Sequence, residues 1–250
     1  MFKRERSAQE NSIVDVYFPD KGNTLSYFND SFDLHKGDVV YVEGKMEGLK
    51  GCVQRLSYSF KIKLSDYKRV ISVADTNVRG ELYFAGSHFV SFDPEVIPYS
   101  KVLSWFKAPP DEYEVYVTGE DGGSFELEDL TGMGVGLSIG ERGEQYYLED
   151  RVVFLCLDGS RGRAIVKGTK AYELEFCYRS GEISGLVCDC PCTYTCKHAV
   201  AAMMQLRETL ELIEKNYQDA FEHTGYFAAV TKAALFRHVI NGKEEGSIRL

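Results

Sequence analysis

The sequence contains no apolar run approaching the roughly 20 residues that a bilayer-crossing helix requires, so no membrane span is expected. The charged N-terminal stretch MFKRERSAQENS has no apolar segment behind it, which argues against a secretory signal and predicts a cytoplasmic protein. Disulfides are not expected in that reducing compartment, and the seven cysteines should be thiols or metal ligands. Positive charge is also in short supply. A net charge of −9 excludes a chain that is basic throughout and grips nucleic acid by electrostatics alone. The sequence has no internal repeat and no low-complexity segment. Between residues 73 and 150 there are no recognisable paired carboxylates and no nucleophile–base arrangement, so no enzyme is expected. The string G-M-G-V-G at 132–136 lacks the Gly-Lys-Ser/Thr ending of a phosphate loop and reads instead as a flexible hairpin or bulge.

What remains is the composition of an ordinary folded chain. Over 250 residues, 44% are apolar and 27% charged, enough to bury a core in one large or two small domains. The 16 tyrosines and 15 phenylalanines lean towards β structure. Charge is unevenly spread. Residues 45–69 carry seven bases against two acids, whereas 111–150 carry twelve acids and one base. A polyanion would therefore meet the first segment or the C-terminal part, not the acidic middle.

The pattern along the chain predicts an α+β fold in four segments. Residues 1–75 read as a small β-barrel-like module, with strands IVDVYF (13–18), TLSYF (24–28) and VVYV (39–42) between glycine-rich turns. In YSFKIKL (58–64), Lys61 and Lys63 share the polar face of an alternating strand, either simply solvated or touching nucleic acid. Residues 76–150 form an acidic, β-rich middle with a short helix after Pro98 and strand candidates at 112–117 and 125–130. Residues 151–216 begin with strands, the first running from Gln145 through Leu157. The segment AYELEFCY then places Tyr172, Leu174, Phe176 and Tyr178 on one face. A turn at RSGE and a returning strand follow. Met203, Leu206, Leu210, Ile213 and Tyr217 then recur in steps of three and four, the stripe of an amphipathic helix. Residues 217–250 are expected to hold a second helix at 226–240, stopped by Asn241-Gly242, and a frayed tail.

The chemistry concentrates in VCDCPCTYTCKHAVAAMMQL. The spacing C-x-C-x5-C-x-H puts Cys188, Cys190, Cys196 and His198 within eleven residues, and zinc favours four such ligands in a tetrahedron. Alternate residues of an extended strand point the same way, so Cys188 and Cys190 present both sulfurs on one face. Cys196 and His198 fall at the start of the helix, where a thiolate is favoured by the helix dipole. Lys197 lies between two ligands and is placed to offset the site's net −1 charge by donating to a thiolate. Four protein ligands leave no position for water, which argues against hydrolytic catalysis. Cys192 leaves an alternative open, because Cys190, Cys192, Cys196 and His198 also count to four. Cys52, Cys156 and Cys177 read as core cysteines, and His35, His88, His223 and His238 as solitary surface or packed residues.

The CDCP and CKHAVAAMM strings, preceded by a hairpin and followed by an apolar helix, resemble the SWIM zinc finger across about residues 170–212. That family occurs in bacterial proteins associated with Swi/Snf-type ATPases, in plant Mutator-like transposases and in some eukaryotic signalling and recombination proteins. The resemblance implies a zinc cofactor held by Cys188, Cys190, Cys196 and His198. It further implies a role in binding DNA or RNA, a Swi/Snf-type ATPase or another protein, and no catalytic activity. The loop between the ligand pairs is at the short end for the family, and no ATPase motif accompanies it. Arg161, Arg163 and Lys197, with Lys167 and Lys170 interleaved among Tyr172 and Tyr178, join Lys61 and Lys63 as candidate nucleic-acid contacts. The competing expectation is a protein–protein adaptor in which zinc only holds the subdomain together.

Overall fold

A computed structural model describes residues 11–58, 63, 66–109, 123–192 and 194–240. It is an α+β protein with two antiparallel sheets and a few helices, gathered in two compact units. None of the described helices is long and apolar enough to cross a membrane.

The first unit comprises the described residues within Met1–Asn77, Ser104–Asp111 and Arg237–Ser247. Its sheet has the order β2-β1-β4-β3-β5, formed by β1 (Ser12–Phe18), β2 (Asn23–Asn29), β3 (Val39–Val42), β4 (Gly51–Ser57) and β5 (Val70–Ala74). Alternation turns Val14, Val16 and Phe18 inward with Val40, Val42, Val53 and Val70, making a core of β-branched side chains suited to a pleated surface. The barrel-like expectation is met by an open sheet. Its edge strands approach at one bridge, Phe28–Arg69, where the Phe28 amide donates to the Lys68 carbonyl at 2.8 Å, but among the described residues no ladder closes it. Trp105 is fully buried in this unit, donates its indole N–H to the Asp75 carbonyl at 2.7 Å and stacks on His238. Lys61, most of the alternating strand at 58–64, the strand expected at 112–117 and the C-terminal tail lie outside the described residues.

The second unit comprises the described residues within Val78–Leu103, Glu112–Phe236 and Ile248–Leu250. Its eight-stranded sheet has the order β6-β7-β13-β9-β10-β11-β12-β8. The outer strands are β6 (Tyr83–Ala85), β7 (His88–Ser91) and β8 (Phe125–Glu126), and β13 is Tyr226–Thr231. Between them run β9 (Val152–Asp158), β10 (Arg161–Lys167), β11 (Ala171–Arg179) and β12 (Glu182–Cys188). Of the helices, α1 (Tyr99–Ser104) sets Tyr99 against Phe154, and α3 (Lys197–Thr224) crosses the opposite sheet face. Helix α2 (Leu137–Leu148) packs on α3, and α4 (Lys232–Leu235) follows β13. Strands β9 and β13 are buried along nearly their whole length, because both sheet faces are covered at the centre. His88 is also fully buried. Its Nε2 donates to the Val152 carbonyl at 2.8 Å, its Nδ1 accepts from Ser87, and burial pushes its pKa down, so the ring sits neutral. Helix α3 bends at Tyr217, whose backbone leaves the helical region (φ −142°) and whose hydroxyl donates to the Phe84 carbonyl.

Three elements differ from the sequence reading. The glycine-rich 132–143 segment is not a hairpin: a 3-10 turn over Leu130–Met133 leads into α2. The 145–148 tetrapeptide, read as the start of a strand, is the last turn of that helix. The helix expected at 226–240 is instead β13, then the short α4 and a π turn over Phe236–Ile240. A short apolar run buried on both faces carries no alternation, and its two alanines favour a helix locally, so tertiary burial decides the outcome.

Candidate metal centre

The hairpin that carries the first two cysteines is set by its turn and by a bulge. Ser180 and Gly181 both have positive φ (49° and 92°), the backbone of a tight two-residue turn that matches strand twist. From there β11 and β12 pair Arg179 with Glu182, Tyr178 with Ile183 and Cys177 with Ser184, after which the register slips and Glu175 faces Val187. The extra residue lies on β12 next to Gly185, whose φ of 59° is the left-handed conformation of a glycine bulge. Before the bulge Ile183 points into the core; beyond it Leu186 and Cys188 do. The bulge therefore turns the sulfur-bearing parity of the strand inward. Asp189, between the two ligand positions, holds the chain to β11 from the other side. Its carboxylate accepts the Glu173 amide at 2.8 Å, and its own amide donates to the Glu173 carbonyl at 3.0 Å.

Beyond the loop, Cys196 sits at the N-cap of α3 with extended backbone, and His198 lies in the first helical turn. Cys188, Cys190, Cys196 and His198 are each at most 8% exposed. One ligand atom from each lies within 4.8 Å of all the others. His198 Nδ1 is 3.5 Å from Cys196 Sγ and 3.9 Å from Cys188 Sγ. A tetrahedron with metal–sulfur bonds of about 2.3 Å has edges of about 3.5–3.8 Å, so the cluster is close to the size that a four-coordinate ion demands. Among the described residues it is the only group of His, Cys, Asp or Glu placed to hold a metal ion. Cys192 is half-buried and outside it.

The electrostatics of the donors alone point the same way. A hydrogen bond from Cys188, helped by His198, pulls the Cys196 thiol down to about 4. The same contact with Cys196, together with burial, pushes Cys188 well above its ordinary value, and burial pushes Cys190 up to about 12. Three crowded sulfurs without a cation thus favour one thiolate and two thiols. A divalent ion among them stabilises all three as thiolates, the form in which cysteine ligates metals.

Helix α2 braces the cluster. Gly143 faces α3 so closely that a Cβ there would lie 2.5 Å from the Val200 side chain and 3.1 Å from the Lys197 carbonyl. One turn further along α2, Tyr146 meets the His198 ring at 5.5 Å between centroids. Lys197 does not reach the thiolates: its ammonium lies over the Tyr146 ring at 4.5 Å, a cation–π contact. Gly143→Ala is expected to destabilise the fold by about 1–3 kcal/mol, the cost of overpacking a tight crossing. Urea unfolding measures it; a change within error would show that the helices can part at no cost.

Of the candidate nucleic-acid contacts in the second unit, Arg161 and Arg163 lie away from this centre, while Lys197 stands between two of its ligands. Ala164 and Val166 of β10 belong to the core that contains the cysteines, so Arg161 and Arg163 emerge from the opposite sheet face. Arg163 is engaged there by Glu175 at 3.0 Å and covers the Tyr99 ring at 4.9 Å, while Arg161 is exposed. Lys63 is exposed in the first unit. Of the other cysteines, Cys156 is buried and Cys52 and Cys177 are half-buried. Sequence reasoning missed Tyr146, Gly143 and Asp189. The first two contact α3 from far upstream in the chain, and nothing local marks them. Tyr172, which alternation places on one face with Leu174 and Phe176, stacks on His198 at 4.4 Å. Comparison with known proteins finds no matching family model, no matching curated protein and no matching solved structure.

Proposed function

We propose that this chain is a zinc-binding module of the SWIM type, in which Cys188, Cys190, Cys196 and His198 hold one zinc ion that fastens the β11–β12 hairpin to α3. The observation that carries the reading is the convergence of three sulfurs and an imidazole nitrogen in a buried cluster of tetrahedral size. A soft donor set of three thiolates and one imidazole suits zinc, and four protein ligands close the site, so its role is structural and not hydrolytic. Metal analysis of the purified chain tests the assignment. One zinc per chain is expected in the unaltered protein and in Cys192→Ser, and none in Cys188→Ser. Zinc retained in Cys188→Ser but lost in Cys192→Ser would replace this ligand set with the alternative one.

The module acts by binding a macromolecular partner in the cytoplasm, as an accessory to a nucleic-acid enzyme such as a Swi/Snf-type ATPase. Two observations favour a protein contact over direct seizure of DNA or RNA. Arg163 and Lys197 are already engaged by Glu175 and Tyr146. Leu137 and Leu148, at the ends of α2, are 82% and 71% exposed amid Glu141, Glu144 and Glu149. Isolation of the native complex with and without nuclease treatment separates the two. A protein partner survives nuclease, whereas direct nucleic-acid binding appears in filter assays and falls steeply as salt rises.

A further inference from the structure

We propose that His198 ligates the metal through Nδ1, and that Tyr172 and the glycine at 168 are the positioning residues that fix this choice. The inference rests on the zinc reading above and concerns how the centre is built. Nδ1 faces the sulfurs, 3.5 Å from Cys196 and 3.9 Å from Cys188. Nε2 points the other way and is buried without a hydrogen-bond partner.

That orphaned atom is unusual for such a ligand. A metal-bound imidazole ordinarily donates its second N–H to a carboxylate, a carbonyl or water, and that bond sets the ring's orientation. Among the described residues nothing plays that part for His198, so packing must set it. The Tyr172 ring lies nearly parallel to the imidazole, 4.4 Å between centroids and 27° between planes. Its hydroxyl is tied to Thr169 Oγ1 at 2.9 Å, which pins the far end of the ring to the turn between β10 and β11. The same turn backs Nε2. A Cβ at position 168 would stand 3.1 Å from Nε2 and 2.8 Å from the edge of Tyr172, so only a residue without a side chain lets both rings settle there. Tyr146 closes a further side at 5.5 Å. Ligation through Nε2 would require the imidazole to turn over beneath Tyr172.

The test uses the full chain labelled with 15N at histidine and loaded with zinc. Long-range proton–nitrogen spectra distinguish a ring bound at Nδ1 and protonated at Nε2 from the reverse. The unaltered protein is expected to show the first pattern for the one histidine that responds to zinc. Tyr172→Phe, which keeps the stack and loses only the tie to Thr169, should retain the pattern and lose less affinity than Tyr172→Ala. Tyr172→Ala and Gly168→Ala should each weaken zinc binding by roughly 10–100-fold in chelator competition, the usual cost of losing an outer-shell support. If Tyr172→Ala folds poorly, Tyr172→Leu keeps much of the buried volume without a flat ring and should show the same loss. Zinc bound through Nε2 in the unaltered protein overturns the proposal, as does undiminished affinity in the Tyr172 and Gly168 variants. A chain that binds no zinc fails earlier, at the metal reading itself.

Discussion

Removing zinc with a strong chelator is expected to unfold the end of β12, the ligand loop, the first turns of α3 and the docked α2, while the five-stranded sheet keeps its structure. Apparent binding free energies of structural zinc sites are about 10–16 kcal/mol, on the scale of a whole domain's stability, because little of the site exists before the ion binds. Here the metal-free donors are three sulfurs crowded beside a buried imidazole. The next residues in line are Val200 and Met203, buried against the sheet, and Gly143 of α2, which rests on Val200. The first unit has its own valine-rich core, separate from that of the eight-stranded sheet. Hydrogen exchange with and without chelator reads the outcome residue by residue. Unchanged protection at 186–203 after verified metal loss would mean that packing alone holds the hairpin to the helix.

The second large effect is expected at Phe227. Its side chain is fully buried in β13, between β7 and β9, and meets Phe221 of α3 edge to face at 5.7 Å. Phe227→Ala should cost about 3–5 kcal/mol, the lost transfer energy plus the cavity left in a sheet covered on both faces. Leu148→Ser, at the largely exposed C-terminal end of α2, should stay within about 0.5 kcal/mol. Urea titration of both variants measures the contrast. Equal effects would mean that β13 is not buried on both faces.

Both variants fall in elements that the sequence hid, β13 and α2, whereas other parts were readable. The cysteine cluster was legible because its chemistry is local: four ligands in eleven residues need only a strand, a short loop and a helix start. The inward face of β11 and the buried stripe of α3 were legible for a similar reason, since each element has one covered face and one solvated face, and the period shows through. Strand β13 has no such contrast. Both of its faces are covered, and Ala228 and Ala229 mimic a helix. Helix α2 was hidden by its glycines: Gly140 and Gly143 suggest a flexible loop until the second is seen to let α2 approach Val200. The partners of Lys197 and His198, Tyr146 and Tyr172, are aromatic residues in other elements, and only the folded chain reveals what they cover.

The slip beside Gly185 makes β12 a strand of two halves, with odd positions inward before it and even positions inward after it. Length changes in that stretch are therefore tolerated only in twos. Loss or gain of a single residue between Ile183 and Cys188 would rotate the downstream sulfurs by half a turn and leave them facing away from the imidazole, with every ligand still present in the sequence.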